Sequence, residues 1–432
     1  MNLNGINVLV DGYNLEMQKG TGIKTYGATL LQALVSLGAN VDLLCSRDID
    51  TASPLLAESM FFDNQDTRKR TKVGTLLSIA RQFFLPSKKT YTISRDRKFI
   101  VKQSNDNVFN YLTEASNIFN ARECYALSNS LYKLLKFQTT IKIPKRIDLW
   151  HATYPIPIKI NGAKKITTIH DLIPLKLPYT TLDDKKFFFN NINHAVKNSE
   201  IILTVSENTK QDILTCFDIH PEKIFVTHQP IVNEGLDSVK EDLLEGYLRK
   251  YTLEASKYIL FVGAIEPKKN VGRLIDAYID LDTDMKLVIV GKKAWLWKDE
   301  LYKLEMVFGG NFSAKVKLLD YVPKKDLGYL YKGAFCLVFP SLYEGFGLPP
   351  LEAMSFDCPV ITSNVSSLPE VCGDAAIYVD PYDSNDIRAG IEKLINSPQV
   401  RSQLIDSGKE RVKFFGMENY VKKLHQAYTK IL

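Results

Sequence analysis

A glycine-rich segment between residues 339 and 354 holds residue types that suit the binding of a charged ligand. It begins with apolar Phe339 and continues through Gly345 and Gly347 into a helix opened by two prolines. Glycine lets backbone N–H groups approach a ligand closely, and a helix N-terminus favours negative charge. Proline is tolerated in a first helical turn, where its missing N–H would lack an intrahelical partner. The segment therefore predicts a cradle for a diphosphate group.

Two carboxylates flank this loop. Glu344 ends the preceding strand and Glu352 stands eight residues later, in the first turn of the following helix. One can reach a ligand beside the loop while the other reaches further along it. Carboxylates accept hydrogen bonds from sugar hydroxyls well, so the pair suits a sugar ligand. For Glu352 the alternative is an acid that only stabilises a helix N-terminus.

Two adjacent lysines, Lys268 and Lys269, follow Pro267 shortly after an apolar strand. Lysines behind a turn proline are commonly only solvated, and that alternative stays open. Their place after a strand favours a ligand-binding role, because open α/β sheets bind ligands at the carboxyl ends of their strands.

His170 ends an apolar strand and is followed by Asp171, a pattern that favours an active-site role over a satisfied core histidine. His151 also ends a strand, and both Asp171 and His151 are candidates for supporting the site from behind. The other four histidines show no metal-ligand spacing, and none of the six cysteines is paired at two-residue spacing. We therefore predict no metal site.

Short β-branched runs alternate with longer segments of helical period, as in βαβ units with parallel sheets. A first series of candidate strands covers residues 6–10, 41–44, 147–150, 166–169 and 201–205. A second series covers residues 258–262, 287–290, 316–319, 336–339, 360–361 and 376–379. The predicted fold class is α/β, and two such domains facing each other would form a cleft.

The restart of the pattern divides the chain. Residues 1–230 form the first predicted domain and residues 231–415 the second, with a polar linker at about residues 230–256. The first series is interrupted by a predicted insertion at about residues 51–146, which does not follow the alternation. Residues 416–432 are predicted to form a helix that returns to the first domain.

The composition is that of an ordinary globular protein. Lys plus Arg number 55 and Asp plus Glu 49, so the net charge of +6 excludes a protein that coats nucleic acid over its whole surface. Several cysteines lie in apolar runs, which indicates buried reduced thiols and a reducing compartment. The N-terminus shows no targeting pattern, and no window is apolar enough to span a membrane. We therefore expect a cytoplasmic protein.

Four segments together resemble one known family. The run from Glu344 to Glu352 looks like the E-x7-E signature of the retaining glycosyltransferases of family four. Residues 261–270, FVGAIEPKKN, resemble the family's donor-diphosphate loop, residues 169–174 resemble its N-domain strand end, and residues 20–23 resemble its glycine-rich first loop. The matches span about residues 5–430 apart from the insertion. The resemblance implies the GT-B fold, two facing Rossmann-like domains with a central cleft.

The resemblance also implies roles for individual residues. Glu344 would contact the transferred sugar and Glu352 the ribose of the nucleotide. Lys269, with Lys268 beside it, would stabilise the departing diphosphate, and His170 would lie in the cleft. The donor loops that the resemblance implies consist of Gly345, Phe346, Gly347, Leu348, Gly263 and Gly22. The chain departs from many relatives at Ala264, where they carry arginine.

The reaction implied is transfer of a glycosyl group from a nucleotide-diphosphate sugar to a saccharide acceptor hydroxyl, with retained configuration and without a metal or other cofactor. The first domain would bind the acceptor and the second the nucleotide sugar. The sequences of residues 263–270 and 169–174 resemble those of bacterial mannosyltransferases that extend O-antigen or related surface polysaccharides from GDP-mannose. Two alternatives remain. A sugar-nucleotide 2-epimerase of the same fold would release epimerised nucleotide sugar without an acceptor, and a non-catalytic binding module would bind donor without hydrolysis.

The predicted insertion carries a basic, partly aromatic stretch from Arg68 to Lys102. Its apolar residues recur at near-helical spacing between cations, a pattern that can lie in a membrane interface. Such a helix would bring the enzyme to the cytoplasmic face of the inner membrane, where a lipid-linked acceptor is available. The alternative is a helix packed on its own domain with a solvated basic side.

Overall fold

The computed structural model of the chain describes residues 2–16, 22–49, 51, 53–63, 87–93, 114–232 and 239–432. The basic stretch expected to form an amphipathic helix lies outside these residues, apart from the segment 87–93. Gly20 and Thr21 of the glycine-rich first loop also lie outside them, whereas Gly22 is described.

The first half of the chain builds an eight-stranded sheet. Its strands are β1 (Asn7–Asp11), β2 (Asn40–Cys45), β4 (Tyr91–Ile93), β5 (Asn117–Asn120), β7 (Leu149–Ala152), β9 (Lys164–Ile169), β10 (Ile201–Thr204) and β11 (Ile224–Val226). They lie in the order β11-β10-β9-β7-β1-β2-β5-β4, and only the β4 and β5 pair is antiparallel. Strands β7 and β10 are buried along their whole length, as expected for the interior of a parallel sheet.

The predicted insertion at 51–146 is wrong in extent, because part of it belongs to the first sheet. Strand β5 pairs in parallel with β2, and its Ile118 and Phe119 are buried. The strand was missed because asparagines stand at both its ends, and asparagine is depleted in strands. Asn117 is satisfied by the Asp42 carboxylate and Asn120 by the Arg47 carbonyl. A small separate sheet joins β3 (Ser87–Lys89), β6 (Thr139–Lys142) and β8 (Ile158–Ile160).

Helices of the first domain accompany these strands. They are α1 (Gly22–Ser36), α2 (Pro54–Phe62), α3 (Cys124–Leu135), α4 (Ile173–Lys176), α5 (Lys185–Asn198) and α6 (Glu207–Cys216), with single 3-10 turns at Pro178–Thr180 and Pro221–Lys223. Side-chain caps define where two of them begin. Asp184 accepts the N–H of Phe187 at the start of α5, and Ser206 accepts that of Thr209 at the start of α6.

The second domain is a six-stranded, wholly parallel sheet. Its strands are β12 (Tyr258–Val262), β13 (Lys286–Val290), β14 (Val316–Leu319), β15 (Cys336–Phe339), β16 (Val360–Ser363) and β17 (Ala376–Val379). They lie in the order β14-β13-β12-β15-β16-β17. Helices and 3-10 turns connect these strands.

The helices of this domain are α7 (Leu244–Lys250), α8 (Val271–Ile279), α9 (Trp297–Phe308), α10 (Lys324–Gly333), α11 (Leu348–Ser355), α12 (Leu368–Cys372), α13 (Ser384–Asn396) and α14 (Pro398–Phe414). The 3-10 turns are Glu241–Leu243, Pro267–Lys269, Gly309–Ala314 and Gly373–Ala375. The stretch expected to be a polar linker thus contains α7, which packs on α10.

The last helix, α15 (Met417–Thr429), contacts α1 of the first domain. One cluster of buried apolar side chains runs from Leu34 of α1 through Leu424 of α15 to Phe346 of the second domain. The two domains therefore share one continuous core at this place. Among the helices that the structure describes, each is too short or too polar to cross a membrane.

Candidate active site

The carboxyl ends of β12 and β15 bring a cation and a carboxylate together. Lys269 ends the 3-10 turn after β12, and Glu344 lies in the loop after β15, adjacent strands of the second sheet. Lys269 Nζ lies 2.5 Å from Glu344 Oε1 and 5.1 Å from the centre of the Phe339 ring. Both side chains are largely buried, so this charge-assisted pair is held in one geometry.

Lys268 lies in the same turn but has different partners. Its Nζ is 3.3 Å from Glu266 Oε1, and its backbone carbonyl accepts the N–H of Leu342 at 2.8 Å. Burial alone would lower the pKa of Lys268, but the carboxylates of Glu266, Glu344 and Asp171 outweigh burial and raise it. Lys268 therefore remains a cation at neutral pH.

Two glycines of the loop are required by space and backbone shape. A Cβ on Gly345 would lie 2.3 Å from the carbonyl oxygen of His170, so this position touches the first domain directly. Gly347 has φ +111° and precedes α11, and a Cβ there would lie 2.8 Å from Leu368. The loop thus lies against the first domain through backbone atoms, with the N-terminus of α11 behind it.

Phe346 stands between these glycines but points into the shared core. Its side chain is 5% exposed and its ring packs against His228 and Phe415. Phe346 was predicted to bind the donor, but with its side chain buried it can contact a ligand only through its backbone. Leu348, the first residue of α11, remains half-buried.

Glu352 is the fifth residue of α11 and so lies in its second turn, not in the first as predicted. Its Oε2 accepts the hydroxyl of Tyr331 at 2.9 Å. Burial raises the pKa of Glu352, and the Tyr331 hydroxyl and the charge of Lys324 only partly oppose this. The side chain is half-buried by area, so an incoming hydroxyl group could still reach it.

His170 follows β9 in the first domain and faces Gly345 across the domain boundary. Its Nε2 donates to the carbonyl of Thr153 at 3.0 Å, and its ring stands at 88° to the Tyr26 ring, 4.8 Å away. Burial lowers the pKa of His170 to about 4, opposed in part by the Thr153 carbonyl. At neutral pH the imidazole is uncharged with its proton on Nε2, so Nδ1 is a hydrogen-bond acceptor.

A cavity of about 170 Å³ lies beside His170. Its polar lining consists of Tyr154, His170, Asp171, Thr181, Asp183 and Lys268, and its apolar lining includes Ile23, Ile169 and Phe188. Burial raises the pKa of Asp171, whose Oδ1 accepts the N–H of Ile173 at 3.0 Å. Because Lys268 of the second domain and His170 of the first both line it, the cavity lies on the boundary between the domains.

The two remaining glycines predicted to bind the donor, Gly22 and Gly263, lie in different domains. Gly22 begins α1 directly before cavity-lining Ile23, and a Cβ on Gly22 would meet no heavy atom within 4 Å. Gly263 follows β12, and a Cβ there would lie 3.7 Å from the Lys269 side chain. Gly291 was not predicted as a site residue. A Cβ on it would lie 1.8 Å from the Gly263 carbonyl oxygen, so a side chain there would displace the Gly263 loop.

Comparison with known proteins identifies the family. Residues 248–411 match the model described as "Glycosyl transferases group 1" and residues 112–233 match "Glycosyltransferase Family 4". The O-antigen chain mannosyltransferase B of Escherichia coli is 34% identical over 278 residues, covering 63% of this chain and 71% of that protein. This chain is a family 4 glycosyltransferase.

Further similarities support the assignment. The serotype-specific mannosyltransferase WbdA of Escherichia coli is 28% identical over 287 residues, 65% of this glycosyltransferase, which spans only 35% of the WbdA length. The fold of sucrose-phosphate synthase from Thermosynechococcus elongatus superposes with a TM-score of 0.64 at 16% identity, covering 99% of both chains. The predicted GT-B fold and the resemblance to family four are confirmed, and the chain is an enzyme rather than a binding module.

His151 of the glycosyltransferase lies in the core of the first sheet and has no exposed surface. Its Nδ1 lies 2.5 Å from the Tyr428 hydroxyl of α15, and its Nε2 lies 2.8 Å from Thr168 Oγ1. The Tyr26 hydroxyl is also 2.8 Å from Thr168 Oγ1, and the Tyr26 ring packs on His170. His151 thus lies behind the candidate site, and Thr168 and Tyr26 connect it to His170.

Two hydroxyl residues of the glycosyltransferase were missed from sequence. Ser206 Oγ donates to the Gly345 carbonyl at 2.7 Å, and Thr209 Oγ1 donates to the His170 carbonyl at 3.1 Å. Ser206 is the N-cap residue of α6 and Thr209 lies in its first turn. A serine is favoured at an N-cap, so it is a signal for the start of a helix. That signal predicts a helix boundary, but it does not reveal that the boundary holds the Gly345 loop.

Within the part of the chain that the structure describes, no three His, Cys, Asp or Glu side chains are grouped so that they could hold a metal ion.

Proposed function

We propose that this glycosyltransferase moves a mannosyl group from GDP-mannose to a hydroxyl of a saccharide acceptor, with retention of the anomeric configuration. One observation carries the proposal. Lys269 and Glu344 form a buried pair at the strand ends of the second domain, next to the Gly345 backbone that touches His170 of the first. A donor sugar held at this boundary would have a cation, a carboxylate and a neutral imidazole within reach.

The lysines would stabilise the departing diphosphate. As the bond between the anomeric carbon and the phosphate oxygen breaks, negative charge grows on that oxygen. Lys268 and Lys269 are already held nearby by carboxylates, and the α11 N-terminus lies behind Gly347, so this stabilisation needs little reorganisation. Each lysine is paired with a carboxylate, which offsets the repulsion between the two neighbouring cations.

Glu344 would contact the transferred sugar and His170 would help to orient it. The unprotonated Nδ1 of His170 can accept a hydrogen bond from a sugar hydroxyl, because Nε2–H is engaged with Thr153. Glu352 would receive the ribose hydroxyls, in exchange for or beside its bond to Tyr331. Gly22 and Gly263 would leave room for the phosphates.

We infer a front-face route for the chemistry. The bond from the anomeric carbon to the diphosphate oxygen breaks through an oxocarbenium-like transition state. The acceptor oxygen bonds to the anomeric carbon on the same face, and its proton passes to the leaving phosphate oxygen. No protein nucleophile is needed, and no metal or other cofactor takes part.

The relatives guide the choice of substrates. Proteins named O-antigen chain mannosyltransferase B and O-antigen chain mannosyltransferase RfbU are 34% and 30% identical to this chain. We therefore assign the enzyme to surface polysaccharide synthesis, with an acceptor saccharide carried on a lipid diphosphate. Such an acceptor would bring the enzyme to the cytoplasmic face of the inner membrane as a peripheral protein.

A panel of nucleotide sugars tests the proposal. Thermal stabilisation and slow donor hydrolysis are measured with GDP-mannose, GDP-fucose, UDP-glucose, UDP-galactose and UDP-N-acetylglucosamine. GDP-mannose should give the largest stabilisation and the fastest hydrolysis. Stronger responses to a UDP-sugar would refute the donor assignment while leaving the transferase assignment intact.

A further inference from the structure

Helix α12 of the second domain holds the loop that carries Glu344. Ser367 Oγ, just before this helix, lies 3.0 Å from the Glu344 carbonyl oxygen and 2.6 Å from that of Phe346. Ser366 Oγ accepts the Glu344 N–H at 3.0 Å. The backbone on both sides of Gly345 is therefore fixed by the residues that lead into α12.

The same short helix reaches the first domain through Glu370. One Glu370 oxygen accepts the Glu207 N–H at 2.8 Å, and the other accepts the Asn208 N–H at 3.1 Å. These are the first two residues of α6, whose N–H groups lack intrahelical partners and favour a negative charge. A carboxylate of the second domain thus caps a helix of the first.

A third donor to Glu370 comes from the chain crossing between the domains. His228 Nε2 lies 2.6 Å from Glu370 Oε1, and His228 Nδ1 lies 2.6 Å from Lys423 Nζ of α15. An ammonium group can only donate, so Nδ1 accepts and Nε2 carries the proton toward Glu370. Burial alone would raise the pKa of Glu370, but these hydrogen bonds outweigh burial and lower it.

Arg411 of α14 fixes α12 from its other end. Its Nε donates to the Val371 carbonyl at 2.8 Å, and its Nη2 donates to the Glu370 carbonyl. Its guanidinium also lies 5.0 Å from the centre of the Phe415 ring. With both ends held, α12 can transmit the position of α6 to the Gly345 loop as a rigid piece.

We propose that Glu370 is a positioning residue for glycosyl transfer: it ties α6 of the first domain to α12, and through Ser367 it sets the Glu344 loop against His170. The proposal rests on the site described under Proposed function. In the proposed arrangement Glu370 contacts neither the substrate nor the reacting atoms, because its carboxylate is engaged by Glu207, Asn208 and His228. Replacing the Glu370 carboxylate should therefore weaken the contact between the two domains while leaving the nucleotide-binding surface of the second domain in place.

The test compares Glu370→Gln with Asp326→Asn. Asp326 is a matched control because it is a buried carboxylate of the same domain, whose partners Lys250 and Tyr251 lie in that domain too. Three quantities are measured for each variant: hydrogen–deuterium exchange of the peptide at the start of α6, GDP affinity, and kcat and KM with GDP-mannose.

For Glu370→Gln, hydrogen–deuterium exchange at the start of α6 should become faster. The kcat should fall about ten- to hundredfold, the factor that corresponds to the usual free energy of charge-assisted hydrogen bonds. GDP affinity should change less than about threefold, a separation that a simple loss of stability would not produce. For Asp326→Asn, neither exchange at α6 nor kcat should change.

Several results would overturn the proposal. They are unchanged exchange in Glu370→Gln, an equal loss of kcat in Asp326→Asn, or a loss of GDP affinity as large as the loss of kcat. The exchange measurement uses no donor, so it decides the role of Glu370 at the domain boundary even if the wild-type enzyme prefers another sugar. Failure of wild-type transfer from GDP-mannose would instead count against the proposed function.

Discussion

At the scale of single residues, the two adjacent lysines have different surroundings and should have different effects. Lys269 contacts Glu344, whereas Lys268 contacts Glu266 and lines the cavity. Lys269→Ala should lower kcat about 30- to 1000-fold, the loss that follows removal of one preorganised charge, and should weaken GDP binding as well. Lys268→Ala should be the milder change. A greater loss of kcat in Lys268→Ala would reverse the assignment of the two lysines.

The neutral state of His170 makes a prediction about pH. Burial lowers the pKa of this imidazole from 6.5 to about 4. Between these values the unfolded chain binds a proton that the folded protein does not, so stability falls as pH falls. Above pH 6.5 the titration of His170 costs the folded protein no stability. On reaching pH 4 it has lowered the free energy of unfolding by about 3 kcal/mol.

Urea unfolding of the wild type and His170→Gln between pH 4 and pH 7 measures this contribution. Glutamine can keep the hydrogen bond to the Thr153 carbonyl but cannot titrate. The free energy of unfolding of the variant should therefore depend less steeply on pH than that of the wild type. Parallel pH dependences in the two proteins would show that His170 titrates normally in the fold.

Some of the residue-scale features could be predicted from the sequence. Glu344, Lys269 and His170 each follow a strand, and that rule alone placed them at the same end of their sheets. Ser367 and Glu370 were missed because their partners are remote, with Glu370 and Glu207 separated by 163 residues. Nothing in the local pattern of Leu368-Pro369-Glu370 distinguishes a cap for a distant helix from an ordinary helical turn.

At the scale of elements, the close contact of the Gly345 loop with the residue that follows β9 should tolerate no side chain. In Gly345→Ala the new Cβ would lie 2.3 Å from the His170 carbonyl oxygen, so the loop or the first domain must move. A displacement of about 1 Å can cost about a hundredfold in rate. The measurement is kcat/KM, with circular dichroism to show that the fold is kept.

Gly246→Ala is the control for that variant. Gly246 lies within α7, and a Cβ there would meet no heavy atom within 4 Å. Since alanine is the better helix former, this change should raise the free energy of unfolding by about 0.5–1 kcal/mol and leave activity unchanged. Wild-type activity in Gly345→Ala would contradict the described contact between the loop and the first domain.

The strands of the second domain were the most predictable elements. The predicted limits 258–262, 316–319, 336–339 and 376–379 agree with the structure. Strands β12 and β15 lie inside the parallel sheet and are continuous apolar runs, whereas β14 and β17 are its edge strands and are only partly buried. Strand β5 and the small sheet were not predicted. The apolar run of β5 is only two residues long and is bounded by asparagines, and the side chain of Asn117 finds its partner, Asp42, on another strand.

At the scale of the whole molecule, the helix α15 links the second domain to the first. Tyr428 of α15 contacts His151 of the first domain, and both side chains are fully buried. Tyr428→Phe leaves the ring in place but removes the hydroxyl, so His151 Nδ1 loses its partner. The free energy of unfolding should fall by about 1–3 kcal/mol, the cost of one unsatisfied buried polar group. Chemical denaturation measures it, and an unchanged midpoint and slope would argue against this link.

The charges that face the proposed diphosphate site predict how the enzyme responds to chelators. Lys268 and Lys269 can neutralise a diphosphate without a divalent ion. Transfer should therefore continue in EDTA at its original rate. Loss of activity in EDTA with recovery on adding magnesium or manganese would contradict the proposed role of the lysines.

The central claim, retaining mannosyl transfer at the Lys269 and Glu344 pair, is tested most directly by following the reaction with NMR. GDP-α-mannose and a mannoside bearing an apolar chain are mixed with the wild type or with Glu344→Gln. The wild type should form an α-mannoside as the first product. Glu344→Gln, which keeps the shape but removes the charge, should lose about 2–4 kcal/mol of transition-state stabilisation. A β-linked first product, or near-wild-type turnover in Glu344→Gln, would contradict the claim.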